Sequence, residues 1–128
     1  SEAQEGDAVA VGRVLIAPGG FHLTVGPDHR AHLNEAPALH GVRPAADITL
    51  ASIAEVYGKN TTVAVLTGMG KDGAEGAARI ERLGGTILVQ DEASCVVFGM
   101  PKSARELTKN PHEIALDHMA EALIRAVA

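Results

Sequence analysis

A glycine-rich turn is the part of the chain whose residue types and spacing most directly suggest chemistry. Gly68, Gly70 and Gly73 follow an apolar run in a G-x-G-x-x-G arrangement. This arrangement after a strand is typical of a dinucleotide-binding turn, and Asp91 lies near the place where a ribose-binding acid is expected. Asp72 stands inside the turn, however, where its carboxylate would repel a bound diphosphate.

Asp72 therefore has three interpretations on spacing alone. It could cap the following helix, with Glu75 three residues later completing a capping box worth about 1 kcal/mol. It could instead be a catalytic acid, or the turn could still bind a nucleotide with Lys71 offsetting the charge. The residues by themselves leave these alternatives open.

The elements around the turn predict an α/β unit. The run TTVAVLT (61–67) is apolar without alternation at its centre, as expected of a strand covered on both faces. A helical pattern follows, with a stripe of small and apolar residues from Gly73 to Leu83, and then a second strand, TILVQ (Thr86–Gln90). Strand, helix and strand at this length predict two parallel strands joined by a right-handed crossover.

The flanking segments add further elements. RVLIAPG (13–19) predicts a strand over Arg13–Ala17, and FHLTV and AHLNEA around GPDHR predict a β-hairpin. Asp47 is expected to cap a helix whose apolar stripe includes Leu50 and Ile53. A short helix starting near Pro101, an edge strand at EIAL and a terminal helix complete the prediction.

Composition narrows the class of protein. The 128 residues suit one domain, which we divide into a flexible lead-in (1–11) and a folded part (12–128). A net charge of −5 argues against nucleic acid as a partner, and no apolar stretch is long enough for membrane insertion. Cys95 is the single cysteine, which fits a reduced, cytoplasmic setting. We expect no metal at the six histidines and no cofactor.

Four segments together resemble the catalytic domain of the chemotaxis protein-glutamate methylesterases (CheB type). Along the chain these are RVLIAPGGFHL (13–23), HGVRPAADITLAS (40–52), VAVLTGMGKDGAEGAARIERLGG (63–85) and ILVQDEASCVVFGMPKSA (87–104). They occur in the family's order and cover most of the chain from Gly12 to Leu107.

The resemblance implies a fold, an activity and a site. The fold would be α/β, a doubly wound and mostly parallel sheet, here with a β-hairpin. The activity would be hydrolysis of γ-glutamyl methyl esters on the cytoplasmic helices of methylated chemoreceptors, with deamidation of receptor glutamines, by a Ser-His-Asp triad. Asp72 matches the triad aspartate, and Met69 matches a residue whose backbone serves the oxyanion site, with Gly70 shaping the same turn.

The rest of the triad has no match in this sequence. In the family the serine and the histidine lie upstream of the segment that matches RVLIAPG, and none of the four serines stands in a G-x-S-x-G elbow. We therefore expect the C-terminal portion of a methylesterase domain, inactive alone, which self-associates or pairs with the N-terminal segment of the same domain. Two alternatives remain open: a non-catalytic binding or regulatory module, and a nucleotide-binding fragment.

Overall fold

The structure is a computed structural model that describes all residues from Ser1 to Ala128. None of its helices has the length and apolar character needed to cross a membrane. In chain order the elements are β1 (His22–Val25), β2 (Ala31–Asn34), α1 (Ala46–Val56), β3 (Thr62–Val65), α2 (Ala74–Arg82), β4 (Thr86–Gln90), α3 (Met100–Leu107), β5 (His112–Ile114) and α4 (Leu116–Val127).

The main sheet has three parallel strands in the order β3-β4-β5. Val63 pairs with Ile87 and Val65 with Val89, so the predicted strand–helix–strand unit is confirmed. This prediction succeeds because the apolar runs and the helical stripe each encode burial within a short stretch of chain. β3 lies at one edge of the sheet and β5 at the other.

Helices cover both faces of this sheet. On one face, valine and isoleucine side chains of β3 and β4 pack against α1, α2 and α3, with Ile80 and Ala104 fully buried among them. Leu88, on the alternate face of β4, is 3% exposed, and α4 contacts all three strands without entering the first cluster. Coverage of both faces is the arrangement expected for a doubly wound α/β domain.

The predicted hairpin is also present, as an antiparallel pair of β1 and β2 that packs on α1. A second small cluster joins Leu23 and Ala31 of the hairpin to Ala3, which is 3% exposed. The amide of Ala3 donates to the carbonyl of Ile16 at 2.8 Å. Part of the expected lead-in thus packs on the hairpin, and the division at residues 11 and 12 stays a prediction.

The prediction of a strand over Arg13–Ala17 is wrong for this structure. The segment is extended, but its only ladder contact is one bridge between Ile16 and Glu2, and Val14 is 73% exposed. A strand requires a neighbour that pairs with its N–H and C=O groups along its length, and local sequence does not supply that neighbour.

Candidate active site

The glycine-rich turn leads from the carboxyl end of β3 into α2. Gly70 and Gly73 both have φ of 93°, a left-handed conformation that favours glycine, and Gly73 is the residue before the first turn of α2. No side chain caps α2 at this position, which excludes the interpretation of Asp72 and Glu75 as a capping box. Met69 is 84% exposed at the tip of the turn.

Asp72 binds the N-terminus of a different helix, α1. Its Oδ2 accepts the amide of Ala46 at 2.7 Å, and its Oδ1 accepts the amide of Asp47 at 3.0 Å. Amides in the first turn of a helix lack partners within the helix and lie at the positive end of its dipole. The two bonds therefore fix the position of the carboxylate, whose oxygens have lone pairs left to accept further hydrogen bonds.

Asp47 makes the reciprocal contact. It was expected to cap its own helix, but Ala45 is the N-cap of α1 and has no side-chain cap bond. The Oδ1 of Asp47 instead accepts the amide of Gly76 in α2 at 2.9 Å, and its Oδ2 lies 2.9 Å from Nε2 of His40. The first turn of α1 thus exchanges carboxylate contacts with the segment formed by Asp72 and the first turn of α2.

His22 completes the N-terminus of α1. The side chain is fully buried, with Nε2 donating to the carbonyl of Pro37 at 2.9 Å and Nδ1 accepting the amide of Ala45 at 3.3 Å. These bonds assign the tautomer with the proton on Nε2. The three successive amides from Ala45 to Asp47 are therefore bonded to His22 and Asp72, and His22 has a structural role at the site.

An apolar groove of about 410 Å³ begins beside Asp72. Its lining includes four consecutive residues, 63 to 66, of and just after β3. Successive side chains of a strand point to opposite faces, so four in a row line one groove only where it runs along the strand's edge. Leu15 and Ala17, and Thr49 and Leu50 of α1, also line the groove.

The side chains of His40, Asp47 and Asp72 are close enough to be considered as metal ligands. One potential ligand atom from each lies within 4.8 Å of the others. The carboxylate oxygens already accept the amides of α1 and α2, and His40 is bonded to Asp47. The arrangement is accounted for as a hydrogen-bonded junction between two helix N-termini.

A second loop holds the glycine-rich turn. The amide of Gly68 donates to the carbonyl of Val97 at 3.0 Å, and a Cβ on Gly99 would lie 2.7 Å from the carbonyl oxygen of Gly68. Gln90, 1% exposed, accepts the amide of Thr67 at 2.8 Å through Oε1 and donates through Nε2 to the carbonyl of Ser94. Our sequence reasoning missed Gln90, although a polar residue at the end of an apolar strand indicates a side chain that needs a hydrogen-bond partner.

His32 forms an ion cluster with Glu5 and Asp28. Its Nδ1 lies 2.7 Å from Glu5 and its Nε2 lies 2.9 Å from Asp28, so the protonated ring can donate from both nitrogens to a carboxylate. The bond to Glu5, followed by that to Asp28, raises the pKa of His32.

The two carboxylates of this cluster shift in the opposite direction. The amide of Leu33, followed by His32, lowers the pKa of Glu5. Desolvation would raise the pKa of Asp28, but its hydrogen bonds to His32 and to the amide of Arg30 outweigh this and lower it. The cluster joins the N-terminal segment to the hairpin.

Comparisons with known proteins agree with the geometry. The CheB methylesterase family model matches residues 1–123. A protein of Bdellovibrio bacteriovorus named protein-glutamate methylesterase/protein-glutamine glutaminase is 47% identical over 97% of this chain and 36% of its own length. One of the same name from Pyrococcus abyssi is 43% identical over 98% and 35%.

A solved structure gives the same result. The crystal structure of the Thermotoga maritima CheB methylesterase catalytic domain superposes with a TM-score of 0.87 at 40% identity, over 97% of this chain and 67% of that one. The chain spans about a third of the length of the curated relatives it matches. The chain belongs to the CheB methylesterase family.

Proposed function

We propose that this chain supplies the aspartate side of a protein-glutamate methylesterase active site in the cytoplasm. The substrates would be γ-glutamyl methyl esters on methylated chemoreceptor helices, with deamidation of receptor glutamines as a related reaction. The observation that carries the proposal is the anchoring of Asp72 by two α1 amides, at 2.7 and 3.0 Å, beside an open groove. The names of the relatives support the same reaction class.

In this mechanism Asp72 accepts the N–H of a histidine and thereby orients the ring. The histidine takes the proton of a serine hydroxyl as the serine oxygen attacks the ester carbonyl, and Asp72 stabilises the imidazolium. Amides of the turn around Met69 and Gly70 stabilise the oxyanion. The methoxy group leaves with the proton from histidine as methanol, and water then hydrolyses the acyl-enzyme to the carboxylate.

The serine and the histidine would come from the N-terminal segment of the same domain. The groove along β3 is the place where that segment would join the sheet, because β3 is an edge strand and its groove is lined mainly by apolar side chains. A strand added there would pair with the outer edge of β3 and separate it from Leu15 and Ala17. Without that segment, the same edge favours self-association, which light scattering of the purified chain would detect.

The test is complementation. The chain is mixed with, or fused to, the part of the Thermotoga maritima domain that it does not match, and methanol release from methylated receptor is measured. We expect release from the assembly, none from the chain alone, and a loss of about 10³- to 10⁴-fold on Asp72→Asn. Asp117→Asn, which changes an exposed acid in the first turn of α4, is the matched control and should have no effect.

Two outcomes would overturn the proposal. Methanol release by the chain alone, abolished by Asp72→Asn, would show that the nucleophile lies within these residues. An assembly that forms but is inactive would favour the alternative of a non-catalytic binding module. The nucleotide alternative has no observation in its favour, since Asp91 accepts hydrogen bonds from Ser94 within its own loop, and Asp72 faces α1.

A further inference from the structure

The turn that carries His40 has an unusual residue at a strained position. Leu39 and Val42 exchange two backbone hydrogen bonds of 3.0 Å, so His40 and Gly41 are the two central residues of a tight turn. Their φ values are 55° and 76°, both left-handed. Such turns favour asparagine and glycine, and a histidine held in this conformation indicates a role for its side chain.

The imidazole of His40 reaches inward from this turn. Nε2 lies 2.9 Å from Oδ2 of Asp47, whose side chain is only 5% exposed, and the histidine side chain is itself 19% exposed. A buried carboxylate is stable only when it is paired and hydrogen-bonded. His40 and the amide of Gly76 supply the side-chain contacts of Asp47.

Asp47 is in turn a direct neighbour of Asp72. Its amide donates to Oδ1 of Asp72 at 3.0 Å, while its carboxylate holds the first turn of α2 through Gly76. The position of Asp72 therefore depends on where Asp47 holds the two helices. Asp47 also places a second carboxylate close to that of Asp72, and like charges repel each other. The contact between Asp47 and His40 is therefore important for the electrostatics of the site.

We propose that His40 and Asp47 are positioning residues for Asp72. His40 fixes the Asp47 carboxylate, and Asp47 locks the junction of α1 and α2 on which Asp72 is anchored. The contacts stand independently of any reaction, whereas the kinetic consequence rests on the proposed function of Asp72.

Two substitutions at residue 40 separate the side chain from the turn. His40→Asn suits the left-handed turn but is too short to place a donor where Nε2 lies. His40→Gln can place its Nε2 donor near that point, although it suits the turn less well. A role limited to the turn predicts that asparagine is harmless, whereas a positioning role predicts that glutamine is the better replacement.

The measurement is nuclear magnetic resonance of the 128-residue chain. In His40→Asn we expect shifted amide signals at Ala46, Asp47 and Gly76, and exchange of the Gly76 amide faster by about tenfold or more, as for loss of a hydrogen bond to a charged group. His40→Gln should stay close to the unsubstituted chain. Unchanged signals in both variants, or equal changes in both, would overturn the proposal.

A kinetic measurement in the complemented esterase distinguishes this proposal from the proposed function. If both hold, His40→Asn lowers kcat by about tenfold with KM nearly unchanged, and His40→Gln restores most of the loss. If the amide signals respond while Asp72→Asn and His40→Asn both leave kcat unchanged, the positioning pair stands and the catalytic role of Asp72 fails. If Asp72→Asn abolishes activity but the amides do not respond, the positioning proposal fails alone.

Discussion

Replacing Asp72 with alanine should destabilise the fold as well as affect any chemistry. The carboxylate closes the N-terminus of α1 from a position 25 and 26 residues away, through the amides of Asp47 and Ala46. Alanine removes both acceptors, and the amide of Asp47 belongs to a residue that is only 6% exposed, so water replaces the lost bond poorly.

The size of the effect follows from these contacts. Loss of an N-cap side chain costs up to about 2 kcal/mol, and we take the upper end because two amides lose their acceptor. Loss of the charge at the helix dipole adds about 0.5 to 1 kcal/mol. The free energy of unfolding should therefore fall by about 2 to 3 kcal/mol, which for a chain of this length lowers Tm by about 8 to 12 °C.

Urea unfolding followed by circular dichroism measures this change at low protein concentration. Asp72→Asn keeps one acceptor oxygen, but its NH2 group would face a backbone N–H in place of the second. The free energy of unfolding should therefore fall by about half as much as for Asp72→Ala. Asp117→Ala is the matched control: it removes a charge from the first turn of α4 but no side-chain hydrogen bond, and it should lower stability by no more than about 1 kcal/mol. A loss for Asp72→Ala no larger than that of the control would refute the capping role and the anchoring on which the active-site argument depends.

Three further predictions concern other parts of the fold. For His32→Gln, the stability lost should depend on pH. Because the pKa of His32 is raised, the contribution of this histidine to stability is fully present below about pH 6.5 and is lost as pH rises through the raised pKa. Because the pKa values of Glu5 and Asp28 are lowered, the contribution of these carboxylates is present above about pH 4.5 and is lost on acidification. The Tm values of His32→Gln and of the unsubstituted chain, measured across this pH range, should converge at both ends of the range. A difference in Tm that does not change with pH would contradict the assignment. Gly76→Ala should destabilise by about 1 to 2 kcal/mol despite better helix propensity, because its Cβ would lie 2.5 Å from Cβ of Leu50, whereas Gly19→Ala meets nothing within 4 Å and should be neutral. Gln90→Leu should leave the core packed but release the glycine-rich turn, seen as faster amide exchange at Thr67; unchanged exchange there would show that Gln90 does not hold the turn.

The sequence alone determined the central unit of the fold and its family. The apolar runs of β3 and β4 and the stripe of α2 lie within 30 residues, and each encodes its own burial by local periodicity. The hairpin was predictable for the same reason, since its strands alternate around a turn of suitable composition. The motif around Asp72 carried the resemblance to the methylesterases, which the comparisons confirm at the level of the family.

The tertiary structure decided which groups these residues contact. Local reasoning assigned Asp47 to the cap of its own helix and gave a cap on the following helix as one interpretation of Asp72, but each carboxylate bonds amides of the other helix. It also predicted a strand over Arg13–Ala17, a segment that has only a single bridge. Caps and strands are completed by unpaired backbone groups that come close only when distant segments pack, and periodicity along the chain contains no information about which segment that will be.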